Sequence, residues 1–134
     1  MRFEDEKAMT SKELDLLGNL AYCLIRAGRT GEARSVVEGV VALCPDHYYG
    51  HALAGALAER GGDRDRARRA YERALRCNPA DTASMVNLGR LRIQAGELEA
   101  GLGQIRVASA LEGARDSEVG RLARILLDSY GSGR

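Results

Sequence analysis

The residues best suited to metal chemistry lie close together in the first half of the chain. Cys44, Asp46, His47 and His51 are all possible ligands, and His47 and His51 stand four residues apart, a spacing that places two side chains on one face of a helix. In the alternative, His51 is a large packing residue and Asp46 caps the helix that follows. We favour this alternative and expect neither a bound metal nor another cofactor.

No group of residues predicts catalysis. Both histidines of the chain lie in the segment just described, and the sequence has no phosphate-binding loop, nucleophile elbow or paired-cysteine metal motif. We therefore expect a protein that is not an enzyme.

A dense set of basic residues follows. The range 60–76 contains seven arginines against three carboxylates. Asp65 and Arg69, and likewise Glu72 and Arg76, stand four residues apart and can pair on a helix. These features indicate a solvated, partly paired face, with an acidic partner as the alternative. Nucleic acid is disfavoured because no aromatic residues interleave to stack on bases. Four of the arginines are spaced so that they form one stripe along a helix: Arg66, Arg69, Arg73 and Arg76.

The overall composition favours a small helical domain. The 134 residues are 45% hydrophobic and only 4% aromatic, with a net charge of +1, which gives no general attraction to nucleic acid or anionic membrane. No apolar run is long enough to span a bilayer, and residues 1–7 do not resemble a secretory signal. We expect a cytoplasmic protein with no membrane insertion and with reduced cysteines at positions 23, 44 and 77.

A period of 34 residues organises the chain. Gly28, Gly62 and Gly96 follow this spacing, as do Pro45 and Pro79, and Gly113 takes the third proline position. Small and bulky residues repeat at the same interval. They include Ala21, Gly55 and Gly89; Ala33, Ala67 and Gly101; Leu17, His51 and Met85; and Val37, Tyr71 and Ile105.

These positions resemble the tetratricopeptide repeat family, whose period is 34 residues. The resemblance implies an all-α protein, a right-handed α-solenoid of three helix pairs plus a C-terminal capping helix. Small residues then allow helices to approach, and glycine ends the first helix of each pair. The expected organisation is a partly mobile N-terminal segment (1–13), repeats at 14–47, 48–81 and 82–115, a capping helix (116–130) and a mobile tail (131–134).

Both ends carry local signals for helices. Thr10 and Glu13 form a capping-box pattern, and Asp116 or Ser117 can cap the last helix. The third repeat departs most from the pattern, so we expect its second helix to be the least regular. The expected apolar stripe of the capping helix is Val119, Leu122, Ala123, Leu126 and Tyr130, with Arg121, Arg124 and Asp128 facing outward.

By the same resemblance, a concave groove is lined by fixed positions on the first helix of each pair. Asp15, Gly18 and Ala83 occupy some of these positions. The candidate binding residues are Tyr22, Ile25 and Arg26 in the first repeat, Tyr49, Ala52, Ala56, Glu59 and Arg60 in the second, and Val86, Arg90, Ile93 and Gln94 in the third. Such a surface suits an extended peptide with apolar anchors and some acidic character.

Two subfamilies of tetratricopeptide proteins can be compared with this chain. Chaperone cofactors grip an acidic tail with a lysine and an asparagine, but Gly18 and Tyr22 stand at those positions here, so this role is disfavoured. The segments 46–48 and 94–98 resemble parts of the small chaperones of bacterial type III secretion. We expect a protein–protein interaction module that binds a peptide or protein segment, with such a chaperone as one candidate. The alternative is a scaffold or assembly subunit, including a self-associating one, and a homo-oligomer is compatible with either.

Overall fold

The computed structural model describes residues 9–113 and 116–131, and that part of the chain is helical. Each first helix packs on its second helix, and each second helix packs on the first helix of the next pair, as far as the last helix. The predicted all-α solenoid of three helix pairs and a terminal helix is confirmed. The helices are α1 Ser11–Arg26, α2 Thr30–Leu43, α3 Tyr48–Arg60, α4 Arg64–Cys77, α5 Thr82–Gln94, α6 Leu98–Glu112 and α7 Glu118–Leu126, followed by a π-helical turn at Leu127–Gly131.

The three first helices end in the same way. Gly28, Gly62 and Gly96 have φ values of 80°, 80° and 90°, in the left-handed region that glycine adopts most easily. The next residue donates its N–H to a carbonyl five residues earlier, which closes a Schellman motif. These bonds are Arg29 to Leu24 at 2.8 Å, Asp63 to Ala58 at 2.9 Å and Glu97 to Arg92 at 2.8 Å. The glycine period therefore reflects one repeated turn.

Small residues set how closely the helices of a pair approach. A Cβ atom on Gly55 would lie 2.6 Å from the ring of Tyr71, and one on Gly101 would lie 2.6 Å from the carbonyl oxygen of Gly89. Ala67 is fully buried beside Tyr71. These contacts are too tight for larger side chains, so the 34-residue period of small residues is a packing requirement.

The prediction that the second helix of the third repeat is the least regular is wrong. α6 is an unbroken helix of 15 residues. Gly101 brings its backbone against that of Gly89, and the fully buried Ile105 fills the adjoining space. Gly113, with φ of 63°, ends the helix where the other repeats have proline. Departures from the family pattern here are compensated by closer packing.

The terminal helix is α-helical at Glu118–Leu126 and continues as a π-helical turn to Gly131. Ser117 caps it by accepting the N–H of Gly120 at 2.9 Å, and its regular part ends at Leu126. Ala123 and Leu126 are buried as expected, but Leu122 and Tyr130 are 37% and 45% exposed. Because the turn after Leu126 is π-helical, Tyr130 falls outside the predicted stripe.

The start of α1 agrees with its sequence signal. The Thr10 hydroxyl accepts the N–H of Glu13 at 3.1 Å, and the Glu13 carboxylate accepts the N–H of Thr10 at 2.9 Å. This reciprocal pair confirms the capping box. The expected mobility of the N-terminal segment and tail concerns mainly residues 1–8 and 132–134, which lie outside the described residues. None of the described helices combines the length and hydropathy needed to span a membrane.

Candidate functional site

The candidate site is the concave surface, the face on which α1, α3 and α5 lie side by side. In its first half, between α1 and α3, the Tyr49 hydroxyl donates to the Asn19 side-chain oxygen at 3.0 Å. The Tyr49 ring lies on Gly18, where a Cβ atom would come within 2.5 Å of the ring. Burial is the main factor that raises the pKa of Tyr49. Gly18 is thus needed for Tyr49 to join the two helices.

Tyr22 and Arg26 lie further along α1 and meet the terminal helix. Arg26 donates to the Tyr22 hydroxyl at 2.7 Å, and its guanidinium carbon lies 5.6 Å from the centre of the ring. The Tyr22 hydroxyl in turn donates to Glu118 at 3.2 Å, and Glu118 lies 3.6 Å from Arg26. The hydrogen bond with Tyr22 is the main factor that raises the pKa of Arg26. All three side chains remain exposed, so this contact is accessible to a ligand.

The second half of the surface, between α3 and α5, contains an ion pair. Arg90 donates to a Glu59 carboxylate oxygen at 2.8 Å, and the Tyr71 hydroxyl donates to the same oxygen at 2.7 Å. The Arg90 and Glu59 side chains are only 26% and 20% exposed, and Tyr71 belongs to the core. The bond to Glu59 raises the pKa of Arg90, and burial raises that of Tyr71.

The ion pair adjoins an open depression of about 670 Å³ near the turn between α3 and α4. Gln94 and Arg90 line it from α5, and Glu59 lines it from α3. Arg60, one residue further, is exposed. Ala52 and Ala56 are partly buried along α3, so a ligand can approach the backbone there without meeting large side chains.

Two predicted groove residues lie in the core instead. Ile25 is 5% exposed and Val86 is 1% exposed, and each belongs to a hydrophobic cluster. Ile93 is partly buried and turns toward α6, where a Cβ atom on Gly101 would lie 2.7 Å from its Cγ1. Because the first helices pack on neighbours on two sides, fewer of their residues reach the groove than the resemblance implied. Ile25 and Val86 therefore do not line the candidate site.

The histidine segment is used for packing. His51 is 4% exposed and its Nε2 lies 2.6 Å from the carbonyl oxygen of Pro45. The buried Nε2 of His47 lies 3.3 Å from Asp15, without the alignment of a hydrogen bond. His47 itself is the N-cap residue of α3, so the expectation that Asp46 caps this helix is wrong. Across residues 9–113 and 116–131, no group of three or more possible ligands converges on a metal site.

Sequence reasoning missed two partners on the concave surface. Asn19 stands one turn before the groove position Tyr22, so its place on α1 was a usable signal. Glu118 lies 96 residues from Tyr22. Only the curvature of the whole solenoid brings these two residues together, and no local pattern reports that curvature.

Comparisons with known proteins agree with this architecture. Residues 53–118 match the family model of the tetratricopeptide repeat. Together with the three helix pairs, this match agrees with the tetratricopeptide-type solenoid fold that the sequence predicted. None of the curated proteins matches the chain in sequence.

Several solved structures share the fold. SycD, a type III secretion chaperone of Yersinia enterocolitica solved with a peptide of the translocator YopD, has a TM-score of 0.74 at 18% identity, covering 91% of this chain and 95% of SycD. PcrH from Pseudomonas aeruginosa has a TM-score of 0.75 at 17% identity, with 92% and 96% covered. The first tetratricopeptide domain of Spaghetti (RPAP3), bound to the HSP90 peptide SRMEEVD, has a TM-score of 0.72 at 16% identity, with 94% and 99% covered. The predicted resemblance to the chaperones of type III secretion is confirmed for the fold.

Proposed function

We propose that the chain binds an extended segment of another protein along its concave surface and catalyses no reaction. The observation that carries the proposal is the exposed cluster of Tyr22 and Arg26, with the exposed Arg60 further along the surface. Tyr22 is 38% exposed, and Arg60 is exposed as well. Tyrosine and arginine are enriched in binding hot spots because they combine large contact area with directed hydrogen bonds.

The contacts of this cluster suggest the chemistry of the bound segment. Glu118 lies against the Tyr22 hydroxyl and the Arg26 guanidinium at 3.2 and 3.6 Å. An acidic side chain of a ligand can make the same two contacts, because exposed pairs exchange partners at little cost. The partly buried Ala52 and Ala56 leave room for apolar anchors. The preferred ligand is thus extended, with apolar residues and at least one carboxylate.

Peptide binding by proteins of the same fold supports the proposal. SycD holds a peptide of a translocator, and the RPAP3 domain holds an HSP90 peptide. We favour a chaperone of the secretion type, acting in the cytoplasm on a partner that is insoluble alone. The HSP90 type is disfavoured because Gly18, at the clamp position, is buried under Tyr49.

The test is a selection of peptides followed by affinity measurement. Unstructured peptides are selected on the wild-type chain by phage display and their Kd is measured by calorimetry. Tyr22→Ala should weaken binding about thirtyfold with an unchanged Tm, because truncating a hot-spot residue costs about 2 kcal/mol. Arg124→Ala, at an exposed arginine on α7, is the control and should leave Kd unchanged. Equal affinities for the wild type and Tyr22→Ala would contradict the proposal.

Self-association is a second candidate because α1 exposes an apolar pair. Leu16 and Leu20 are 63% and 49% exposed and stand four residues apart. Exposed apolar side chains grouped in this way are typical of contact surfaces. Light scattering should then show a dimer that Leu16→Glu converts to a monomer. A wild-type monomer at all concentrations would reject this candidate.

A further inference from the structure

The second repeat carries a charged stripe on the convex side. Arg66, Arg69, Arg73 and Arg76 all lie exposed on α4. Neither of the ion pairs predicted for this helix, Asp65–Arg69 and Glu72–Arg76, is among the salt bridges of the described residues. The arginine of α4 that does pair is Arg68, which lies 3.0 Å from Glu97.

The repeat itself does not require these arginines. At the corresponding positions the first repeat has Glu32, Ser35, Gly39 and Ala42, and the third has Ala100, Gly103, Val107 and Ala110. Both of those helices form without a basic stripe. Like charges three and four residues apart destabilise a helix, and a cation in the first turn, as at Arg66, opposes the helix dipole. Packing and local stability therefore do not account for the stripe.

The stripe forms one wall of a groove. Depressions of about 410 and 420 Å³ lie between α2 and α4, with α3 as their floor, and they share Val37, Glu38, Ala54 and Arg66. A third depression, of about 670 Å³, continues the groove past His51 and Arg73. We call this groove the convex seam. Its apolar lining is mostly small: Ala54, Leu57 and Ala58 on the α3 floor, Val37, Val41 and Ala42 on the α2 wall, and Ala70 on the α4 wall.

We propose that the convex seam binds an acidic amphipathic helix of a partner protein. The four arginines span eleven residues of α4, a rise of about 15 Å, or nearly three turns of a helix laid alongside. The small floor residues let an apolar stripe approach, and the arginines can pair with carboxylates on its flank. This surface adjoins the depression at the concave site, with which it shares Gly61 and Asp63, but the proposal does not depend on the function proposed there.

The same surface is poorly suited to nucleic acid. Glu38, on the α2 wall, faces the arginines across the seam, so a polyanion in the groove would meet a carboxylate. No aromatic ring lines the two depressions between α2 and α4 other than the imidazole of His51, which is itself buried. Base stacking, the usual contribution to single-strand binding, has no platform there.

The experiment uses the intact chain and a labelled synthetic peptide. The probe is an amphipathic helix of about five turns, with leucines at i, i+3, i+4 and i+7 and glutamates on the one flank that would face the arginines. The matched peptide carries glutamine in place of every glutamate. Fluorescence anisotropy should show binding of the glutamate peptide that weakens as salt is raised, and much weaker binding of the glutamine peptide.

Charge reversal locates the binding surface. Arg69→Glu combined with Arg73→Glu should weaken binding of the glutamate peptide at least about tenfold. Arg124→Glu, an exposed arginine on α7, should leave it unchanged, and circular dichroism should show that all variants stay folded. Absence of binding, equal losses in both variants, or unchanged binding in the double variant would overturn the proposal. Displacement of the peptide by a short DNA duplex at lower concentration than by unlabelled peptide would also overturn it, in favour of nucleic acid.

Discussion

Between α1 and α3 the concave surface is joined by a hydrogen bond between neutral side chains, whereas between α3 and α5 it is joined by an ion pair. Tyr49 donates to Asn19 in the first half. In the second half Glu59 accepts from both Arg90 and the core residue Tyr71. The second half is therefore tied to the interior through Tyr71.

The two halves of the concave surface therefore differ in role: one contributes mainly to stability and the other mainly to ligand recognition. The polar groups of the Glu59–Arg90 pair are mostly buried, so removing one partner leaves the other desolvated and unpaired. Tyr22 and Arg26 remain exposed and contact each other and the exposed Glu118. We infer that the Glu59–Arg90 pair contributes more to stability and that the Tyr22 end of the surface is the more available to a ligand.

The largest effect on stability is expected at Glu59. Glu59→Ala leaves Arg90 without its carboxylate and Tyr71 without its acceptor, and should lower the free energy of unfolding by about 2–3 kcal/mol. Urea denaturation followed by circular dichroism measures this change. Arg60→Ala is the neighbouring control and should stay within about 0.5 kcal/mol of the wild type. Similar free energies of unfolding for Glu59→Ala and Arg60→Ala would mean that the ion pair does not stabilise the fold.

Tyr49 should show an intermediate effect on stability. Its ring is partly buried on Gly18, so Tyr49→Ala should cost about 1–2 kcal/mol and weaken peptide binding as well. Tyr49→Phe keeps the ring and loses only the bond to Asn19, which should cost about 1 kcal/mol or less. Thermal melts of both variants distinguish the two contributions. An unchanged Tm in Tyr49→Ala would show that the ring does not join α1 to α3.

The smallest effect is expected at Glu118. Glu118→Gln removes an exposed charge near Arg26, and exposed ion pairs contribute little to stability. We expect no measurable change in Tm at either low or high salt. A clear loss of Tm confined to low salt would show instead that the position of α7 depends on this contact.

The 34-residue period was sufficient to predict the fold through its resemblance to the tetratricopeptide family. It placed Gly28, Gly62 and Gly96 at the turns and Ala67 in the core, because these positions are set by backbone conformation and close packing within each repeat. It failed for Ile25 and Val86, because the family pattern does not state how deeply each groove position is covered by neighbouring helices.

Contacts between distant residues were beyond the reach of sequence patterns. The approach of Glu118 to Tyr22 depends on the summed curvature of all three repeats. The pairing of Glu59 with Arg90 depends on the rotamers of two long side chains. Local periodicity predicts neither the curvature of the solenoid nor these rotamers, although it did place Glu59, Arg90 and Tyr22 on the same surface.

Photo-crosslinking tests most directly whether the concave surface is the one that binds. Benzoylphenylalanine is placed at position 22 or, in a second variant, at position 73, and each chain is irradiated with a peptide selected on the wild type. We predict a crosslink from position 22 that excess unlabelled peptide abolishes, and none from position 73. A crosslink from position 73 alone would contradict the account and place ligand binding on the convex side.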